Sequence, residues 1–298
     1  MAREVADLGF EYMELSHGVR ITLVPGLLKA LEEGVIRVSS CHNFCPLPAG
    51  VTRPAPNLYQ PSSQDRREIE QWLRNTKRSL DFAAQVGAGV LVCHLGSVGF
   101  FWFNPANKLY DYLEGLTDLD LRKDEAFRLV REKALRRLQK RKPRYWETVL
   151  RSLQAILEHA KTSGVKLGFE NRESFTELPL DADFGSLFAA MPEGAPVGYW
   201  HDAGHADLKE KLGLLDHAKH LGELAPRLLG FHLHDVSKEG HDHQPLGTGR
   251  VDFDMVSSHW QAQHRLILEL SPRLSTEEVL ASRQRALELI DRAFAASA

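Results

Sequence analysis

Cysteine is scarce in this chain. The 298 residues contain Cys41, Cys45 and Cys93, an odd number with no Cys-x-x-Cys pair. That argues against a disulfide framework and against a structural zinc ribbon. No apolar run approaches the ~20 residues that a membrane helix needs. The first residues include Arg3, Glu4, Asp7 and Glu11, so no signal peptide is expected, and the reading is a reduced, cytoplasmic protein. Net charge is only -3, so no global field draws the chain to nucleic acid or an anionic membrane. Gly-x-Gly-x-x-Gly and P-loop sequences are missing, which removes the usual nucleotide-phosphate cradles. So is the Gly-x-Ser-x-Gly elbow of serine hydrolases. Cys93 and His94 are neighbours, but successive strand residues face opposite ways, so they do not form a nucleophile–base dyad.

Short β-type runs alternate with longer helical patterns. The strand candidates are 11–15, 36–42, 89–95, 165–170, 196–201, 228–234 and 265–270. Residues 64–86 read as a helix, with Ile69, Trp72, Leu73, Leu80, Ala83 and Ala84 on one face, Ser63 as its cap and Gly87 as its stop. The last helix opens on the capping box Ser275-Thr276-Glu277-Glu278 and is expected to turn Leu280, Leu287 and Ile290 inward. Strands that alternate with helices imply right-handed βαβ units and a parallel sheet. The expected fold is an α/β barrel of the TIM (β/α)8 type in one domain, 1–298. Such a barrel closes with eight strands. Seven are visible, so the first strand is expected to be absent from this chain or the barrel open there; a misplaced start codon would explain it.

Residues 96–147 break the rhythm as a helical insertion after the His94 strand. They carry an aromatic run (Phe100, Phe101, Trp102, Phe103), an acidic part (Asp111 to Glu125) and a basic helix (Arg131 to Arg144). Insertions after strands lie on the catalytic face of such barrels. The segment is read as a lid or oligomerisation arm, with a solvated helical hairpin as the alternative. The aromatic run suggests a contact surface, and so a homo-oligomer.

The chemistry-bearing residues recur at strand ends. Glu170 ends Val165-Lys166-Leu167-Gly168-Phe169, Asp202 follows Tyr199-Trp200-His201, His232 follows Gly230-Phe231, and Glu269 ends Leu266-Ile267-Leu268. A carboxylate at the end of an apolar strand is costly to bury without a compensating partner. One such residue alone would more often be a hydrogen-bonded structural group; four in succession point to a site. Two Glu, one Asp and one His suit manganese, magnesium, cobalt or zinc. A second layer comprises His42, His94, His205 and His243, for substrate hydroxyls or further metals. Arg172 is a candidate for a substrate phosphate. His234 and Asp235 are read as orienting the neighbouring ligands. His201, His217, His220, His259 and His264 are read as surface or supporting histidines.

In combination the motifs resemble those of the xylose-isomerase-like TIM-barrel superfamily. They are Cys41-His42-Asn43, His94-Leu95-Gly96, Glu170-Asn171-Arg172, His201-Asp202-Ala203-Gly204-His205, His232-Leu233-His234-Asp235, His243-x-x-Leu246-Gly247-x-Gly249 and Glu269. The resemblance implies a catalytic divalent metal on Glu170, Asp202, His232 and Glu269. It implies an isomerase or epimerase of a sugar, keto-polyol or sugar phosphate. In that chemistry Glu170 and Glu269 abstract and return a proton next to a carbonyl, through a metal-bound enediolate. The implied partner is a small carbohydrate, and His205 matches a substrate-contacting position. A dehydratase of the same superfamily is a close alternative. So is the zinc phosphodiesterase endonuclease IV, which acts on abasic DNA. Its pattern would use His42, His94 and Glu170 for one further metal, and His205, His243 and an aspartate two residues before His243 for another. That last position holds His241, with Asp242 displaced by one. The displacement and the lack of basic, aromatic loops near the early strand ends argue against a nucleic-acid partner.

Overall fold

A computed structural model describes residues 1–100, 104, 107–109 and 121–295. In chain order its elements are α1 (Ala2–Asp7), β1 (Tyr12–Leu15), α2 (Val24–Glu32), β2 (Arg37–His42), α3 (Arg66–Gln85), β3 (Val90–Cys93), α4 (Glu125–Ser163), β4 (Lys166–Glu170) and α5 (Phe184–Ala189). They continue with β5 (Val197–Asp202), α6 (Ala203–Lys211), α7 (His217–Leu224), β6 (Leu228–Leu233), α8 (Phe253–Ser257), β7 (Arg265–Leu268) and α9 (Thr276–Ala295). Every expected strand is present, within a residue or two at its ends. No helix among the described residues is long and apolar enough to cross a membrane.

The first compact unit comprises Met1–Ser97, Pro143–Glu170 and Gly185–Gly198. Its strands β1 to β4 pair in parallel, and one row of partners runs Leu15, Cys41, Leu91, Leu167. All four are buried, as expected of a parallel sheet covered on both faces. The helix α3 is capped by Asp65, which accepts from the Arg67 N–H. This corrects the expected Ser63 cap. Ser63 instead donates to Glu68 and accepts from the Asp65 N–H, so it braces the capping residue rather than the helix. The helix buries Trp72, Leu80 and Ala83 as expected, but Ala84 is exposed. Polar Asn75, Thr76 and Ser79 share the buried face. Thr76 accepts from the Asn43 side chain and Ser79 from the Cys45 N–H, which anchors the loop that leaves His42.

The second unit comprises Val98–Lys142, Asn171–Phe184 and Tyr199–Ala298. Here β5, β6 and β7 pair in parallel, with the row Asp202, His232, Ile267. The capping box of α9 forms as expected: Ser275 Oγ accepts from the Glu278 N–H, and Glu278 accepts from the Ser275 N–H. The expected inward face does not. Leu280 and Leu287 are exposed, and Ser282 and Leu289 are buried. Ser282 meets the Leu246 N–H, so a polar loop contact sets the helix rotation that the apolar pattern alone misassigned.

The basic run Arg131 to Arg144 lies within the 39-residue helix α4, which continues past Pro143 to Ser163. Buried Phe127, Ala134, Leu138, Tyr145, Val149, Leu153 and Ile156 form a stripe at helical spacing on both sides of the proline. Of the aromatic run, Phe101 to Phe103 lie outside the described residues, as does the acidic stretch 110–120.

Candidate metal centre

In the first unit, register alone brings three candidates to one face. His42 is level with Val92, and Val92 with Gly168. His94 and Glu170 lie two residues further along their chains, and positions two apart share a face. The result is a buried cluster. Glu170 Oε2 lies 3.0 Å from His94 Nε2 and 3.5 Å from His42 Nε2. His42 Nδ1 donates to the Asn43 carbonyl at 3.1 Å, and His94 Nδ1 meets Asn57 Oδ1 at 3.0 Å. A carbonyl only accepts, so the proton of a neutral His42 is on Nδ1, and its Nε2 lone pair faces a carboxylate. Two lone pairs converging with a carboxylate oxygen favour a cation between them. Sequence reasoning missed His17, whose ring meets that of His42 edge-on at 4.8 Å, and Asn57. Nothing in the sequence marks either one; only the loop path brings them in.

The second unit repeats the device. Asp202 and His232 share a register row, and Glu269 and His234 lie two residues beyond that row. His232 Nδ1 is 2.9 Å from Glu269 Oε2 and 3.8 Å from Asp202 Oδ2. Asp202 also caps α6, accepting the His205 N–H at 2.7 Å. His205 Nδ1 lies 3.0 Å from the Asn171 carbonyl and 3.5 Å from Asp202 Oδ2. Asn171 clamps the backbone of Asp202 from both sides, accepting its N–H at 2.7 Å and donating to its carbonyl at 2.9 Å. His243 Nδ1 meets the Glu269 carbonyl at 3.1 Å, and the residue adopts φ 53°. A left-handed conformation at a non-glycine residue carries strain and concentrates at functional sites. Asp242, displaced by one residue from the endonuclease pattern, still offers a ligand atom within 4.8 Å of Glu173 and His205. Arg172 is tied to Glu177 at 3.4 Å.

Asp235 organises the loop that carries His243. Its carboxylate accepts from the N–H groups of Val236, Gly247, Gly249 and Val251. The glycine at 249 is a steric requirement, since a Cβ there would lie 2.2 Å from the Val236 carbonyl oxygen. Gly204 is required for the same reason, because a Cβ would lie 2.1 Å from Cε1 of His234. Gly204→Ala is therefore expected to displace His234 and weaken divalent-metal affinity about tenfold or more, with the helical circular dichroism unchanged. Titration against a chelating dye checks this, and wild-type affinity would contradict it.

The expectation that His201, His217 and His220 lie at the surface or merely support needs correction for the surface part: all three are buried. Tyr199 Oη joins His201 Nδ1, His220 Nε2 and Asn171 Oδ1, and His201 Nε2 meets His217 Nε2 at 3.0 Å. Burial pushes His201 well below the usual imidazole range, and His217 down to about 4. These rings stay neutral when folded but protonate near ~6.5 when unfolded. Their contribution is present above about pH 6.5 and is lost as pH falls towards 4. For His217 alone this is about 3 kcal/mol. Urea midpoints measured from pH 7 to pH 4.5 should fall steeply, and less steeply in His217→Gln; identical slopes would contradict the assignment. At His234 burial opposes a charge, yet Asp202, by its charge and hydrogen bond, raises the pKa to about 9. The His243 N–H directed at Nδ1 opposes that second proton. Burial and the charge of Glu170 push the Cys93 thiol up, which leaves it inert as a nucleophile.

A family model described as xylose isomerase-like TIM barrel matches residues 2–288. The chain belongs to that family. The family supplies the TIM-barrel fold class expected from the alternating strands and helices. Among solved structures, a D-tagatose 3-epimerase-like protein is similar at 14% identity and TM-score 0.67, over 99% of this chain and 94% of that one. A 3-keto-D-glucoside 4-epimerase from E. coli is similar at 14% identity and TM-score 0.64, over 96% and 92%. An L-ribulose 3-epimerase is similar at 15% identity and TM-score 0.63, over 98% and 89%. At such identities the likeness shows the shared fold. No curated protein matches the chain.

Proposed function

We propose that this protein is a metal-dependent isomerase or epimerase of a sugar, keto-polyol or sugar phosphate. The observation that carries the reading is the convergence of the Asp202 and Glu269 carboxylates on His232 Nδ1, in a chain of this family. Structural relatives named as sugar epimerases support it. The donor set fits the group. Asp202 and His232 are fully buried, Glu269 is partly exposed, and a buried carboxylate beside an imidazole nitrogen suits a divalent cation. We assign the metal to Glu170, Asp202, His232 and Glu269, with manganese, magnesium, cobalt and zinc all compatible.

A bound cation would polarise a carbonyl and its neighbouring hydroxyl and so acidify the adjacent C–H. Glu170 and Glu269 move the proton, one removing it and the other returning it. Return to the opposite face gives an epimer, and return to the adjacent carbon gives an aldose–ketose isomer. Asn171 fixes Asp202, and the buried Tyr199 and histidine network behind it keeps water away from that backbone. His42, His94, His205, His243 and Arg172 are assigned to substrate or to additional metals. We assign the whole chain to one barrel domain, and 96–147 to a lid or a contact between copies.

A specific observation favours a second reading, an endonuclease IV-like phosphodiesterase. The groups His42–His94–Glu170 and Glu173–His205–Asp242 each bring ligand atoms within 4.8 Å of one another. Metal content decides. One ion per chain and no cleavage of an abasic duplex is the expected result. Three zinc ions with strand cleavage would replace the epimerase reading by the nuclease one.

A further inference from the structure

His234 stands in two groups of would-be ligands, one with Asp202 and His205 and one with His243 and Glu269. Its hydrogen bonds argue against a ligand role. The His243 backbone N–H points at Nδ1 from 2.9 Å. Nδ1 also lies 3.4 Å from the Asp235 carbonyl, but the His243 N–H is the much shorter contact and takes its lone pair, so the proton of the neutral ring is on Nε2. Nε2 lies 3.0 and 3.1 Å from the two oxygens of Asp202, which can only accept when ionised. In either charge state Nε2 presents a hydrogen to Asp202 and has no lone pair for a metal.

We infer that His234 is a positioning residue, one that holds the Asp202 carboxylate for the metal by donating to it. The inference rests on the metal reading proposed above. Asp202 Oδ1 takes the His205 N–H at 2.7 Å, and His234 Nε2 lies 3.0 and 3.1 Å from Oδ1 and Oδ2, so one donor steadies both oxygens of the carboxylate. Oδ2 also faces His232 Nδ1 and His205 Nδ1 at 3.8 and 3.5 Å.

The tautomer is held from a distance. Asp235 and Gln244 form an antiparallel bridge, with mutual N–H···O contacts of 3.0 and 3.1 Å, which fixes the residue beside His243. The Asp235 carboxylate gathers the next turn through Gly247 and Gly249. Gly204 leaves space for the ring. Loop order at 235–251 is thus linked through the His243 N–H and His234 to one metal ligand.

The test compares the wild-type protein with His234→Gln and His234→Leu, each titrated with zinc against a chelating dye. Glutamine carries an N–H at the same distance along the side chain as Nε2, and leucine carries none. The expected result is affinity within about threefold of wild type for glutamine and a 10- to 100-fold loss for leucine. Equal losses in both variants would make His234 a ligand, and no loss in either would remove its role. Both outcomes overturn the inference. Should the leucine variant fail to fold, long-range 15N–1H NMR of the wild type reads the ring directly. A proton on Nε2 before and after zinc loading is expected, and its loss on loading overturns the inference. A wild type that binds no divalent ion would instead remove the metal reading itself, and the NMR of the metal-free ring would still report the bond to Asp202.

Discussion

Glu269→Gln and Glu170→Gln are each expected to lower kcat by about 10²- to 10⁴-fold, the range for loss of a positioned general acid or base. Glutamine keeps the volume and the acceptor oxygen but cannot take or hold the proton. The side chain of Glu269 is 32% exposed and meets His232, whereas that of Glu170 is only 1% exposed and sits between His42 and His94. The exposed carboxylate is the more accessible to an entering substrate, so the kcat of Glu269→Gln should respond the more strongly. Zinc or manganese affinity, measured on the same preparations, separates proton transfer from ligand loss. The readout is turnover on a panel of ketoses at saturating metal. A variant that turns over at the wild-type rate would remove its glutamate from the proton path.

Asp235→Asn is expected to destabilise the protein by about 3–5 kcal/mol, the range for breaking a buried charged partner out of its hydrogen bonds. The carboxylate accepts from four backbone N–H groups, two on each oxygen. An amide replaces one of those oxygens by a group that only donates, so two backbone N–H groups face a donor. The loop also carries His243, so metal affinity should fall with stability. Urea unfolding in metal-free buffer measures the first effect without the second. A change below about 1 kcal/mol would mean that water or a shifted loop replaces the carboxylate.

Much of this arrangement was legible in the sequence, for a physical reason. Parallel strands all end on the same side of their sheet, so polar residues that end successive apolar runs are brought together by topology alone. His42, His94 and Glu170 stood out in that way in the first unit, and Asp202, His232 and Glu269 in the second. The register rows then fixed which of them share a face within each unit. Residues delivered by loops were not legible. Asn57 and His17 reach His42 and His94 through loop conformation, which has no periodicity to read. The buried state of His201, His217 and His220 was missed because the network starts from the hydroxyl of Tyr199, itself inside an apolar run, which meets His201 and His220, while His217 joins through His201. Helix rotation failed in α9 because Ser282 is held inward by a hydrogen bond to the Leu246 N–H, a contact that apolar spacing does not encode. The capping of α3 by Asp65 rather than Ser63 was a choice between two good caps, settled by the contact of Ser63 with Glu68.

The most direct measurement of the central claim is solvent-deuterium incorporation. The protein is stripped with a chelator, reloaded with manganese, cobalt, magnesium or zinc in turn, and incubated in D2O with a ketose panel. At least one metal should restore both turnover and deuterium at the carbon next to the carbonyl, and neither should occur in the stripped protein. Turnover that persists without metal, or that proceeds with no deuterium in the product of any converted sugar, would contradict metal-dependent proton transfer by Glu170 and Glu269.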